Sequence, residues 1–137
     1  MPFHAVPVET LPYPHAPTCI NRFLHERFND PTSGRAFVHA LTAADLEQCE
    51  YHQADWHLIA RASVELLKVV GPDVSLAEAG QAAQKVGLPE RELAFLVSLF
   101  EDPITWRRDA PEVIGQHRVC ALHAASVPEC VVYLDGS

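Results

Sequence analysis

The chain has 137 residues, 48% hydrophobic and 20% charged, with a formal net charge of −8; this is ordinary globular composition, it excludes bulk disorder, and the length suits one self-sufficient core. The acidic balance argues against a broad electrostatic grip on nucleic acid, so direct DNA binding is not expected, although a small local basic site is allowed. No run of about 18 apolar residues is present, so no membrane span is expected; the opening "MPFHAVPVETLPYPHAP" lacks the basic start and apolar core of a secretory signal, which points to a cytoplasmic protein whose Cys19, Cys49, Cys120 and Cys130 are thiols or metal ligands rather than disulfides.

Six of the eleven prolines fall within residues 1–31. Proline fixes φ and removes a donor, so residues 1–18 are read as an extended Pro-rich segment, its order left open, ahead of a single globular domain over 19–137. "CINRFLHERFND" places Ile20, Phe23, Leu24 and Phe28 near helical spacing and predicts a short helix ending before Pro31. "TSGR" is a turn, and "AFVHAL" is a strand or the lead-in to the next helix. Thr42, with Asp45 three residues on, then caps one long helix running to Val70, where Gly71-Pro72 stops it. Its apolar stripe is Leu46, Cys49, Trp56, Ile59, Ala60, Leu67 and Val70. Ser75 caps a third helix, "LAEAGQAAQKV"; Gly87-Leu88-Pro89 turns the chain; "ERELAFLVSLFED" is a fourth helix ending at Pro103. "ITWRRDAPEV" is irregular or a strand, residues 116–125 form a short fifth helix, and "ECVVYLDG" is a buried strand. The expected fold is α+β and mainly helical: four to five helices around the long one, with a small sheet that includes the C-terminal strand.

Three constellations bear on chemistry. Ala82, Ala83, Val86, Gly87, Leu88, Leu93 and Leu96 are placed as in a helix-turn-helix. The exposed face of its second helix would carry Glu90, Arg91, Glu92, Ser98, Glu101 and Asp102, and carboxylates repel phosphates, so a packed helical hairpin is the better description. Two Cys-x-x-His steps, Cys49/His52 and Cys120/His123, would each set two ligands on one helix face. Together they could hold a tetrahedral zinc and tie the long helix to the fifth, although Cys49 on the apolar stripe also reads as a buried thiol.

The third constellation is Gly115-Gln116-His117-Arg118 at the start of the fifth helix. A glycine there lets the backbone approach a ligand closely. The first helical N–H groups lack acceptors and favour anions. Arg118 adds a forked, permanently charged clamp, and His117 can donate a hydrogen bond or move a proton near neutral pH. Arg107 and Arg108 add positive charge nearby. In the plain alternative Arg118 pairs with Glu112 or Asp109, and His117 only caps the helix.

The stretch "EVIGQHRVCALHAASVPECVVYL", residues 112–134, resembles the Gly-x-His-Arg segment of the ParB/sulfiredoxin superfamily and of the DGQHR-domain proteins. The matching positions are Gly115, Gln116, His117, Arg118, Ala121, Leu122 and the Val131-Val132 strand. The resemblance implies a phosphate cradle at the helix start, used for nucleotides, with the role carried here by Gly115, His117 and Arg118. Ile114 stands where an acidic residue often precedes the glycine, so no metal or base role carries over to it. Gln116 stands where sulfiredoxin has its reactive cysteine, so sulfinic-acid repair is not implied.

The leading expectation is therefore a phosphate- or nucleotide-binding protein with its ligand, a small phosphorylated molecule or nucleotide, at Gly115, Gln116, His117 and Arg118. Whether it is an enzyme is left open: Glu112 and His123 are near the turn only in sequence. If it is one, the reaction is nucleotide-dependent phosphoryl transfer or hydrolysis, with His117 and Arg118 positioning and stabilising charge. The second reading is a noncatalytic helical interaction or regulatory module, whose helix-turn-helix-like hairpin and acidic surface bind a protein partner. The third is a zinc-stapled domain using Cys49, His52, Cys120 and His123.

Overall fold

The computed structural model describes residues 2–13, 38, 42–47, 49–107 and 113–135. In chain order these form β1 (Phe3–Pro7), a 3-10 turn (Val8–Thr10), α1 (Ala43–Glu47), α2 (Glu50–Gln53), α3 (Trp56–Val70), α4 (Leu76–Gln84), α5 (Glu90–Glu101), β2 (Thr105–Trp106), α6 (Gln116–Ala124) and β3 (Glu129–Leu134). The fold is α+β and mainly helical, with a small mixed sheet that includes the C-terminal strand. The helix expected over 19–30 and the turn after it lie outside the described residues; of "AFVHAL" only Val38 is described, and it is helical.

The central strand is β3, in the order β1-β3-β2. Its run Cys130, Val131, Val132 is fully buried, as a strand covered on both faces requires. Antiparallel to it, β1 sets Phe3 opposite Tyr133 and Val6 opposite Cys130; β2 runs parallel, with Thr105 opposite Tyr133. Phe3 is wholly buried, its ring 5.4 Å from that of Phe100 and 5.3 Å from that of Tyr133. Val8 and Leu11 follow it into the same core. The described part of the Pro-rich head is thus a core strand and turn.

The long helix expected from Thr42 to Val70 is three helices. Cys49 (φ −119°, ψ 118°) and Ala54 (φ −72°, ψ 153°) are extended and separate α1, α2 and α3. The apolar stripe has its own gap there, with His52 and Gln53 between Cys49 and Trp56. Asp55 starts α3 afresh, its Oδ1 accepting the Leu58 N–H at 3.1 Å, which satisfies an otherwise unpaired donor. Gly71 (φ 85°) ends it, donating to the Leu67 carbonyl at 2.8 Å.

Along α3, Trp56, Ile59, Ala60, Ser63 and Val64 are buried, and the helix packs on β3 and α5. Ser63 Oγ donates to the Ala60 carbonyl at 2.6 Å and accepts the Val131 N–H at 3.3 Å, so this buried hydroxyl is satisfied within the helix–sheet contact.

Ser75 caps α4 as expected, accepting the Glu78 N–H. Helices α4 and α5 form a packed hairpin, with Ala79, Ala83, Leu96 and Leu99 in the core. Glu92 is not on the exposed face of α5. It is only 5% exposed, and its Oε2 accepts the Asp55 N–H at 3.1 Å and Arg91 Nε at 2.9 Å. Burial raises the Glu92 pKa, but these hydrogen bonds and the Arg91 charge outweigh it and hold the carboxyl below its ordinary value.

Candidate functional site

The turn before α6 is built by the sheet. Thr105 and Ile114 exchange backbone hydrogen bonds of 3.2 and 3.0 Å, which keeps residues 113 and 114 extended beside β2. The side chain of Val113 is buried while Ile114 is 68% exposed. Gly115 then takes φ 100°, ψ 39° and opens α6 with no side-chain cap, its carbonyl accepting the Val119 N–H at 3.1 Å. A β-carbon at residue 115 would lie 2.8 Å from Arg118 Nη2 and 3.3 Å from Ile104 Cγ1. Glycine is required twice over, for its positive φ and for the guanidinium folded against it.

Arg118 is 7% exposed. Its Nη1 donates to the Asp102 carbonyl at 2.7 Å, the Ser98 carbonyl at 3.1 Å and Ser98 Oγ at 3.4 Å. These groups lie in the last turn and C-cap of α5, where the helix dipole is negative; the Ser98 carbonyl also accepts the Asp102 N–H at 3.0 Å, whereas the Asp102 carbonyl lies beyond the helical ladder. That turn has no basic residue of its own, so α6 supplies the cation. Burial lowers the guanidinium's pKa, opposed by the charge of Asp102, with lesser help from Tyr51 and Cys130. Arginine nevertheless stays charged at neutral pH. Among the described residues no carboxylate lies within ion-pairing distance of Arg118, and Nε and Nη2 have no hydrogen-bond partner.

In front of the guanidinium is an open depression of about 500 Å³, lined by Tyr51, Phe95, Ser98 and the acidic Asp102 together with Gly115, His117 and Arg118. His117 is half-buried, with its ring edge-on to Tyr51 at 4.8 Å between centroids. Tyr51 also contacts Phe95, at 5.2 Å, and its carbonyl accepts the indole N–H of Trp56. Of the expected residues, Gly115, His117 and Arg118 converge here, and Gln116 begins α6 beside them. Arg107 instead lines a separate shallow hollow with Thr105 and Asp135, while Arg108, Asp109 and Glu112 lie outside the described residues. His123 turns to donate to the Leu11 carbonyl at 3.1 Å and stacks on Tyr13.

Sequence reasoning missed the aromatic wall and the anchoring role of Ser98 and Asp102. A signal was present for the anchor: α5 ends in Glu101-Asp102 with no cation in its last turn, which calls for one from elsewhere.

The two Cys-x-x-His steps meet in part. Cys120 Sγ is 3.4 Å from His52 Nε2, and Cys49 and Cys120 share a small buried cluster with Val38. Among the described residues no three His, Cys, Asp or Glu side chains are grouped to hold a metal ion. Cys130 lies elsewhere, fully buried against Ser63, and burial pushes its thiol up to about 11.

Comparison of the chain with protein-family models, with curated proteins and with solved structures gives no match.

Proposed function

We propose that the depression in front of Arg118 binds a small phosphorylated ligand, with nucleotides the leading candidates. The observation that carries this reading is the half-committed guanidinium. Nη1 is spent on the end of α5, whereas Nε and Nη2 have no partner among the described residues and the side chain lines the depression. A buried cation next to the first amides of a helix, with the Asp102 charge acting on it but no carboxylate within ion-pairing distance among the described residues, favours an anionic guest. His117 stands at the rim, and Tyr51 and Phe95 offer apolar ring surface to a planar group. The proposal is for binding; of the two further residues near the turn in sequence, His123 is engaged by the Leu11 carbonyl and Glu112 lies outside the described residues.

The test is a melting-temperature titration with orthophosphate and the common nucleoside triphosphates. A ligand present at about one hundred times its dissociation constant adds about 2.7 kcal/mol. A rise with at least one of these probes is expected, strongly reduced in Arg118→Met relative to that variant's own ligand-free baseline. No rise with any probe, or an equal rise in the variant, overturns the reading.

A further inference from the structure

Granted the phosphate-binding reading, on which this rests, we infer that the depression prefers a nucleoside monophosphate, a planar base carried with one terminal phosphate, over the matching di- and triphosphates. Charge decides it. Among the described residues that line the depression, Arg118 is the one permanent cation and Asp102 the one carboxylate. Arg118 is 7% exposed and keeps Nε and Nη2 without partners. Those two nitrogens form one edge of the guanidinium fork, an edge that matches two oxygens of a single phosphate. The start of α6 contributes about half a positive charge more. A phosphate monoester carries about −1.5 to −2 at pH 7, so guanidinium and helix start together nearly neutralise one such group.

Each further phosphate brings about one more negative charge, and no second cation meets it. Arg91, on the helical turn before Phe95, is bonded to Glu92 at 2.9 Å. Arg107 lines the separate hollow with Asp135. Of the charges acting on Arg118, that of Asp102 is the largest, and its exposed carboxylate repels a longer phosphate chain. The wall supplies the other half of the preference. Tyr51 and Phe95, with ring centroids 5.2 Å apart, both line the depression. A base stacked on an aromatic ring adds about tenfold in affinity, and a space of about 500 Å³ is of the size that holds a small molecule rather than a lone phosphate.

The experiment is calorimetric titration of the full chain with the mono-, di- and triphosphates of adenosine, guanosine, cytidine and uridine, beside ribose 5-phosphate and orthophosphate. Each is run at constant ionic strength with and without magnesium. At least one monophosphate is expected to bind about tenfold tighter than its own triphosphate and than ribose 5-phosphate, the diphosphate falling between. Asp102→Asn keeps the backbone carbonyl that holds Nη1 and should narrow the gap by strengthening triphosphate binding about threefold. Triphosphate binding as tight as the monophosphate's in either buffer, a gap unchanged in Asp102→Asn, or binding of orthophosphate or ribose 5-phosphate alone overturns the preference and leaves the phosphate-binding reading standing. Binding of no probe overturns both.

Discussion

Replacing Arg118 with methionine keeps most of the side-chain length and removes the cation, so it isolates what the guanidinium does for the fold. The Ser98 carbonyl retains the Asp102 N–H at 3.0 Å, and Ser98 Oγ still donates to the Phe95 carbonyl at 2.7 Å. The group stripped of its partner is the Asp102 carbonyl, at present only 2.7 Å from Nη1. A hydrogen bond from a charged donor contributes about 1.5–3 kcal/mol, and a cation at a helix C-terminus about 0.3–1 kcal/mol more. Relief of the desolvation that depresses the Arg118 pKa offsets part of this, leaving a net loss of about 2 kcal/mol. At about 2.1 cal/mol/K per residue the unfolding entropy of a 137-residue chain is about 0.29 kcal/mol/K, so the melting temperature should fall by about 7 °C. Thermal unfolding without ligand measures it, and amide exchange in the last turn of α5 should quicken. Arg118→Lys, with one point charge in place of a fork, should recover part of the loss. An unchanged or higher melting temperature in Arg118→Met would show that the contact between α6 and the end of α5 contributes nothing, and the reasoning would fail.

The same geometry makes Gly115→Ala costly, by about 2 kcal/mol, from its positive φ and from the 2.8 Å approach to Nη2. In an Arg118→Ala background the second cause is gone, so the cost should drop by about half; strict additivity in denaturant unfolding would refute the contact. Glu92, whose folded pKa is depressed, contributes stability that is present above its ordinary value and is lost as pH falls through the lower folded value. Glu92→Gln should therefore flatten the acid limb of the stability curve, and an identical pH profile in the two proteins would refute this. Cys130 has the opposite sign: its thiol, raised from 9.0 to about 11, stabilises fully below 9, and that contribution is lost as pH climbs to about 11. Cys130→Ala should lose less stability over that alkaline window than the wild type, and Cys130 should resist iodoacetamide at neutral pH in the folded chain; rapid labelling there would contradict its burial.

What could be read in advance follows from how local each cause is. Ser75 with Glu78, Gly71 after Val70, and the apolar run Cys130–Val132 act over a few residues, and each ends or places its element as expected. The break at Ala54 was also local, yet the helical spacing on either side of it concealed the gap at His52 and Gln53. The strand Phe3–Pro7 was not legible in the same way. It is held by pairing with residues 129–133, at the other end of the chain, and its prolines read as an irregular head. Likewise, Glu92 looked like one more surface carboxylate because its partner, the Asp55 amide, is 37 residues away.

At the candidate site the short motif was visible, but half of its meaning was not. From Gly115 to Arg118 is three residues, one helical turn, so the side chain at the fourth position can fold back over the first. The glycine therefore accommodates the arginine before it accommodates any ligand: a β-carbon at residue 115 would lie 2.8 Å from Nη2 of the guanidinium whose Nη1 holds the Asp102 carbonyl. A sequence shows the Gly–Arg spacing without showing which nitrogen the fold has already claimed. On the proposed reading this is a division of labour, with Nη1 serving α5 and Nε and Nη2, which have no hydrogen-bond partner among the described residues, serving the ligand. It predicts that substitutions at Arg118 lower stability and anion affinity together, whereas His117→Ala, which leaves Nη1 in place, weakens binding with little change in melting temperature; a stability loss in His117→Ala equal to that of Arg118→Met would show that the two roles are not divided in this way.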